Sequence, residues 1–450
     1  MSTQTASPPA SNQARTFAVI AVALFLNNTV ALMLGPLLVE ISNDFGTSVA
    51  VTGQLAAATF FSWAIFAPLV GPFSDSFGRR LVALTGLGLM GSCILAAAFA
   101  TDFIVLIVLL MGTGLGGAMI PPNSMAAVSE AVSEEKKGRA IGVVQGTMQS
   151  AAVIGVPVVA VLASIAGWRL PFLVCGGLLM VTFACSWLWY PKGPATGPRT
   201  FSYLSRFREL GSISAFRIGM LATFSQRIAF YAVTGYIASY LIGTYGMSVG
   251  ETALPLAVVG AGAVAGSLWG GMIASHRNRL GFAAGSALAG GTAAVVLFAV
   301  DPAIWAPVAI AVGAGAVAGS VCGGMIASHR KRLGFAAGSA LAGGAAAVVV
   351  FAVDPAIWAT VAIAFGAVLV LSIGWPVFIT FATDVAGSSR ATGIGMMGAS
   401  NRMGGCVGSA VGGVFLAIGG FSALGIFCLA AVGVSAFVIG VLMRDPVTAD

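Results

Sequence analysis

The feature that most constrains this chain is a succession of continuous apolar stretches of about twenty residues each, the length a helix needs to cross the hydrocarbon of a bilayer. To within a few residues they cover 16–39, 50–72, 81–100, 103–127, 140–166, 170–190, 215–242, 252–275, 280–300, 303–328, 333–353, 356–381, 391–418 and 421–443. A transmembrane barrel would show roughly ten-residue segments alternating polar and apolar, so the runs argue for helices. Composition agrees: 8% of residues are charged and 58% hydrophobic, with a mean hydropathy of +1.00, whereas soluble domains carry about a quarter charged residues. The 61 glycines suit helices whose backbones must approach closely where no water drives them together. The expected fold class is an all-α membrane protein of about 14 transmembrane helices.

The net charge of +7 is no nucleic-acid footprint, because the cations stand in short clusters between apolar runs. If the N-terminus is placed inside, 18 of the 21 Lys and Arg residues fall in inside segments; Arg169 falls outside and Arg227 and Arg402 lie within spans. The positive-inside rule therefore predicts a multi-pass protein of the cell inner membrane with both termini cytoplasmic. Cys93, Cys175, Cys185, Cys322, Cys406 and Cys428 all lie in apolar runs, without CxxC or Cys/His spacing, which predicts small packing residues and no metal site. Residues 1–15 form a polar tail, and the first run is too long for a signal-peptide core, so it reads as a retained span.

A polar stretch rich in Pro, Gly and Arg divides the chain. The expected organisation is a six-helix bundle over 16–190, a cytoplasmic linker over 191–212 and a second bundle over 213–444. Within the second bundle residues 259–311 recur as 312–364 with six differences, a near-identity that marks a recent duplication. Each copy carries one out-and-back hairpin, so downstream orientation is preserved. Without one copy the plan would be six helices and six.

Between the second and third spans stands Gly71 Pro72 Phe73 Ser74 Asp75 Ser76 Phe77 Gly78 Arg79 Arg80. Gly71 lets two helices approach, Gly78 permits a tight turn, and Asp75 can face the positive N-terminal end of the following helix while Arg79 and Arg80 reach water or carboxylates. This loop resembles the signature cytoplasmic loop of the major facilitator superfamily. Glu134 Glu135 Lys136 Lys137 Gly138 Arg139 Ala140, Gly167 Trp168 Arg169 Leu170 Pro171 Phe172 and Ser388 Ser389 Arg390 Ala391 Thr392 Gly393 resemble three further loops of that family. The resemblance implies two six-helix bundles, here with one additional hairpin, and a gating role for Gly71, Asp75, Gly78, Arg79 and Arg80. Within the family the pattern is similar to twelve-helix drug or sugar efflux permeases, with Gly155 Val156 Pro157 Val158 Val159 Ala160 as a weakened exporter motif. The fourth span carries Leu110 Met111 Gly112 Thr113 Gly114, without the Arg that many antiporters place there.

A protein that rocks two bundles about a central site puts its substrate contacts among polar side chains deep in the spans. Candidates are Asn27 and Asn28, Gln145 and Gln149, Gln226, Arg227 and Tyr231, and Asn401 and Arg402. For the amides, helix-to-helix hydrogen bonding and substrate contact stay equally open; intramembrane Arg227 and Arg402 point to function. Glu40, Glu130 and Asp384 are the acids nearest the span ends, read as interfacial groups or as proton carriers. The resulting expectation is secondary active export of a small organic compound by proton exchange, with uptake of a sugar or organic acid and a transport-inactive receptor as alternatives. Small-molecule substrate, protons and lipid are the expected partners, and a monomer the expected state. No nucleotide loop or catalytic constellation is present, so no enzyme activity and no cofactor are expected.

Overall fold

A computed structural model describes residues 10–131, 134–190, 203–275, 357–386 and 390–438. Among these residues the regular structure is helical, with no strand. The helices are α1 (Ala10–Leu32), α2 (Leu34–Asp44), α3 (Val49–Phe77), α4 (Arg79–Ala97), α5 (Phe103–Ala131), α6 (Glu134–Ser150), a π-turn (Ala151–Gly155), α7 (Val156–Ala166), α8 (Arg169–Trp189), α9 (Tyr203–Ser212), α10 (Ser214–Tyr245), α11 (Ala253–Ser275), α12 (Ile357–Ala386) and α13 (Arg390–Phe437). Nine of the described helices are long and apolar enough to cross a membrane. The 32-residue α10 is not among them; its middle carries Gln226, Arg227, Tyr231 and Tyr236.

Interruptions in the rods fall where backbone chemistry demands them. Pro36 has no N–H and its ring would meet the carbonyl four residues back, and the first rod breaks at Met33 accordingly. Pro157 lies in the first turn of α7, directly after the widened π-turn, which absorbs the missing backbone hydrogen bond. α13 is two helices joined by Gly419 and Gly420, the latter at φ 66°, which agrees with the break expected between 418 and 421.

The turns at one end of the molecule are short and capped. Ser48 accepts a hydrogen bond from the Val51 N–H at 3.3 Å, and Asp102 Oδ1 accepts from the Ile104 and Val105 N–H groups at 2.8 and 3.1 Å. Ser248 and Glu251 cap each other, with the Ser248 N–H donating to Glu251 Oε2 at 2.7 Å. At the opposite end the polar stretch expected as a linker over 191–212 finishes in a short helix, α9. Most of the duplicated region, 276–356, lies outside the described residues, as do the tail before residue 10 and the segment 191–202.

Two groups of helices emerge from the packing. α1 to α8 contact one another, chiefly α4 against α5 and α8 and α3 against α5, and α10 to α13 form the second group, led by α10 against α13 and α11 against α12. The groups meet along α3 and α13, α2 and α10, and the π-turn and α11. Where α3 crosses α13 and α10, a Cβ on Gly53 would lie 2.0 Å from Tyr236 Oη and 3.3 Å from the Ser409 carbonyl, so only a glycine allows this approach. Gln54 Nε2 donates across the same seam to the Ala410 carbonyl at 3.2 Å, and Gly35 in α2 lies against the Thr234 and Gly235 backbone of α10.

All of these seam contacts lie between the mid-depth of the helices and the end that carries the Phe45–Ser48 turn. Towards the other end, Gly142, Gly146, Gly395 and Gly398 face open space, and Val143, Ile394 and Phe77 are exposed. The two groups are therefore closed on one side and splayed on the other.

Candidate functional site

Helix length alone brings the central residues to one depth. Trp63 is the middle residue of α3, Arg227 and Tyr231 bracket the middle of α10, and Asn401 and Arg402 stand close to the middle of the first arm of α13. At 1.5 Å rise per residue their Cα atoms lie within a few ångströms of a common plane.

Arg402 occupies the centre of this layer. Its guanidinium carbon sits 3.9 Å from the Trp63 ring centroid, 5.6 Å from that of Phe60 and 5.9 Å from that of Tyr231. Nη1 donates to Tyr231 Oη at 2.9 Å. Trp63 and Phe60 belong to the first helix group while Arg402 and Tyr231 belong to the second, so one cation lies in the faces of rings from both. Phe60 and Tyr231 are themselves 4.6 Å apart between centroids, and Gly405 on α13 leaves the space these two rings fill.

Arg227 is 5% exposed. Its guanidinium lies 4.9 Å from the Phe230 ring and 5.4 Å from the Trp375 ring, and Nη2 donates to the Leu371 carbonyl at 3.3 Å. Its Nε is buried without a partner among the described residues. Phe230 and Tyr231, whose centroids are 5.2 Å apart, place the two arginines on neighbouring rings. Among the described residues neither guanidinium pairs with a carboxylate; the ion pair found there is Arg169 with Asp44 at 2.7 Å, near the closed end.

The amides divide into two kinds. Asn28 Nδ2 donates to the Met148 carbonyl at 2.8 Å, and Gln149 Nε2 donates to Ser267 Oγ at 3.0 Å across the seam, so both serve helix-to-helix bonding in this state. Asn27 and Gln226 are fully buried, and neither has a partner for its amide oxygen or nitrogen among the described residues. Asn401 Oδ1 is likewise buried and unpaired. Gln145 is half-buried one turn from Gln149 on α6. A buried amide left without hydrogen bonds costs about 1–3 kcal/mol, so a cluster of them at one depth needs an explanation.

The segment read as a gating loop is almost wholly helical. α3 continues to Phe77, Gly78 alone links it to α4 at φ 85°, and Arg79 already begins α4. The loop expectation is corrected here: residues 71–77 complete two further turns of α3, leaving the reversal to one glycine. Asp75 lies in the last turn of α3, one turn from the N-terminus of α4; its side chain is outside the described residues. Arg80 donates to the Trp187 carbonyl of α8, and Gly71 lies within α3.

Of the three acids, Glu40 lies in α2, past the end of the first apolar span (Ala14–Leu32). Burial raises its carboxyl pKa above the usual value, and Oε2 has no partner among the described residues. Glu130 and Asp384 fall in the last turns of α5 and α12, and their side chains are outside the described residues. No group of three His, Cys, Asp or Glu residues able to hold a metal occurs among the described residues.

Trp63, Phe60, Phe230 and Trp375 were not among the candidates drawn from sequence. An aromatic residue in an apolar span is unremarked on its own; the usable signal was its coincidence in depth with an intramembrane arginine.

Two helix groups, closed together at one end around a polar and aromatic layer at mid-depth, define a multi-pass membrane protein of two helical bundles. The chain belongs to the Major Facilitator Superfamily, whose family model matches residues 20–330. It is 26% identical over 255 residues to the MFS-type transporter YceJ of Bacillus subtilis (strain 168), a match covering 56% of this chain and 64% of that protein. It is 26% identical over 261 residues to a chloramphenicol resistance protein of Streptomyces lividans, covering 58% of this chain and 66% of the relative. The chain thus spans just under two thirds of the length of these relatives. The structure of a bacterial homologue of the human lysosomal transporter Spinster, in an inward-facing and unoccupied conformation, superposes with a TM-score of 0.63 over 97% of this chain and 95% of that one, at 17% identity.

Proposed function

We propose that this protein is a secondary transporter that exports a small organic compound by alternating access, in exchange for protons. The observation that carries this reading is the one-sided seam. The helix groups are locked by Gly53, Gln54 and Gly35 on the side of the Phe45–Ser48 turn and open on the other, with an unpaired polar layer between. Such an arrangement is one half of an alternating-access cycle, since only an opposite closure is needed to present the same layer to the other face. The clustering of basic residues around the splayed end supports a plasma-membrane orientation with that end and both termini in the cytoplasm. Export as the direction is supported by the similarity to a chloramphenicol resistance protein and by the glycine and proline run Gly155–Ala160, which here shapes the π-turn next to α11.

Proton coupling is supported by Glu40, a partly buried carboxyl held above its ordinary pKa near the closed end. The test is efflux of chloramphenicol and of a panel of charged and uncharged aromatic compounds from energised cells expressing the full chain, with and without a protonophore. Efflux that the protonophore stops supports proton-driven export. Uptake of a compound against its gradient would reverse the direction, and no movement of any compound would overturn the transport reading.

A further inference from the structure

We infer that the transported compound is an organic anion, a flat aromatic carboxylate, held at the centre of the molecule by Arg402 and Arg227. The inference rests on the transport reading above and deepens it by assigning a substrate class to the same layer. Four observations converge. First, two guanidinium groups, Arg227 buried and Arg402 partly buried, stand at mid-depth on the adjacent rings Phe230 and Tyr231, where an uncompensated cation is costly. Second, neither is neutralised by a carboxylate among the described residues, while Arg227 Nε is buried and unpaired. Arg402 has one side-chain hydrogen bond, to Tyr231, out of the five N–H groups a guanidinium offers. Third, the walls are aromatic: Trp63, Phe60 and Tyr231 about Arg402 and Trp375 and Phe230 about Arg227. Fourth, the amides of Gln226 and Asn27 are fully buried and unpaired, available as neutral donors and acceptors for the rest of a ligand.

Two cations with no carboxylate beside them among the described residues repel one another and repel a cationic guest. A carboxylate satisfies a guanidinium through two parallel hydrogen bonds, and a planar ring continues the stacking already present. A cationic drug would meet the opposite field, and a neutral one would leave both charges uncompensated. Because Trp63 and Phe60 come from one helix group and Arg402 and Tyr231 from the other, such an anion would also be touched by both halves that must move.

The experiment uses the purified full chain in lipid nanodiscs and two probes of nearly identical shape, salicylate and its uncharged amide, salicylamide. Binding is read from tryptophan fluorescence and from the rise in melting temperature. The expected result is saturable binding of salicylate at least tenfold tighter than of salicylamide, weakened tenfold or more by Arg402→Gln and by Arg227→Gln. Arg402→Lys, which keeps the charge and loses the planar fork, is expected to fall between wild type and Arg402→Gln. Equal binding of the two probes by the wild-type protein overturns the inference without recourse to any variant. So does an equal effect of sodium chloride at the same concentration, which would make the arginines a resident inorganic-anion site. Charge selectivity that survives both Gln substitutions overturns the assignment to these residues. The transport reading fails separately: salicylate binding with no flux of any compound sinks transport and leaves the anion site, whereas chloramphenicol efflux with no preference for salicylate does the reverse.

Discussion

At the scale of single residues, what matters is whether a polar atom has a partner. Glu40 illustrates it near the closed end, where burial raises its carboxyl pKa and Oε2 has no hydrogen bond among the described residues. For an acid, a raised folded-state pKa means that folding favours the protonated form. Its contribution is fully present below the unfolded value of about 4.3 and is lost as pH rises through the folded one. The melting temperature of Glu40→Gln is therefore expected to be at or above that of wild type at pH 7, with the difference closing as pH is lowered towards 4. Thermal unfolding in detergent across that range checks it, and a variant that is less stable at neutral pH by several degrees would count against a strained carboxylate. The same question of partners separates the candidate amides. Asn28 and Gln149 are engaged with backbone and Ser267, whereas Asn27 and Gln226 are not, a distinction that identical residue types in similar spans do not carry.

Elements are positioned by their ends as much as by their faces. The Asp44 carboxylate at the end of α2 accepts from Arg169 Nη1 at 2.7 Å and Trp168 Nε1 at 3.1 Å, at the start of α8. Arg169 Nη2 donates onward to the Ala100 carbonyl between α4 and α5. The ionic partners are about 40% exposed, so the charge itself contributes under about 1 kcal/mol. Asp44→Asn, which still offers an acceptor to Trp168, is expected to lower the melting temperature by no more than a few degrees. Asp44→Ala removes both acceptors and is expected to cost about 1–2 kcal/mol, and only the ionic share should fade in high salt. Equal losses in the two variants would show that the indole contact contributes nothing. The element-level surprise is the family loop, where the chain spends seven residues on extending α3 and one on turning. Loop composition names the motif, but whether a helix runs through it depends on what the neighbouring helices bury.

For the whole molecule the decisive feature is the asymmetric seam between the helix groups. Gln54 reaches the Ala410 carbonyl across it, so a cysteine pair at positions 54 and 410, with the six native cysteines replaced, is expected to form a disulfide that holds this side shut. Efflux should fall to background on oxidation and recover with reductant, because the cycle requires this side to open. Undiminished transport by the oxidised, fully crosslinked protein would show that the seam is not a gate.

Sequence alone determined the membrane setting, the helical class and the family, and the first two for a plain physical reason. Hydrocarbon thickness fixes the length of an apolar run, and backbone satisfaction in lipid leaves helices as the solution to such runs. It also marked Arg227 and Arg402, since charge in a span is costly enough to be conspicuous. What tertiary structure decided is neighbourhood. Position along a span gives depth, but the rotation of each helix and the choice of facing helix are set by small residues such as Gly53 and Gly405 and by packing across hundreds of residues. Trp63 and Arg402 meet at 3.9 Å although about three quarters of the chain separates them, and no local pattern in either span encodes that contact.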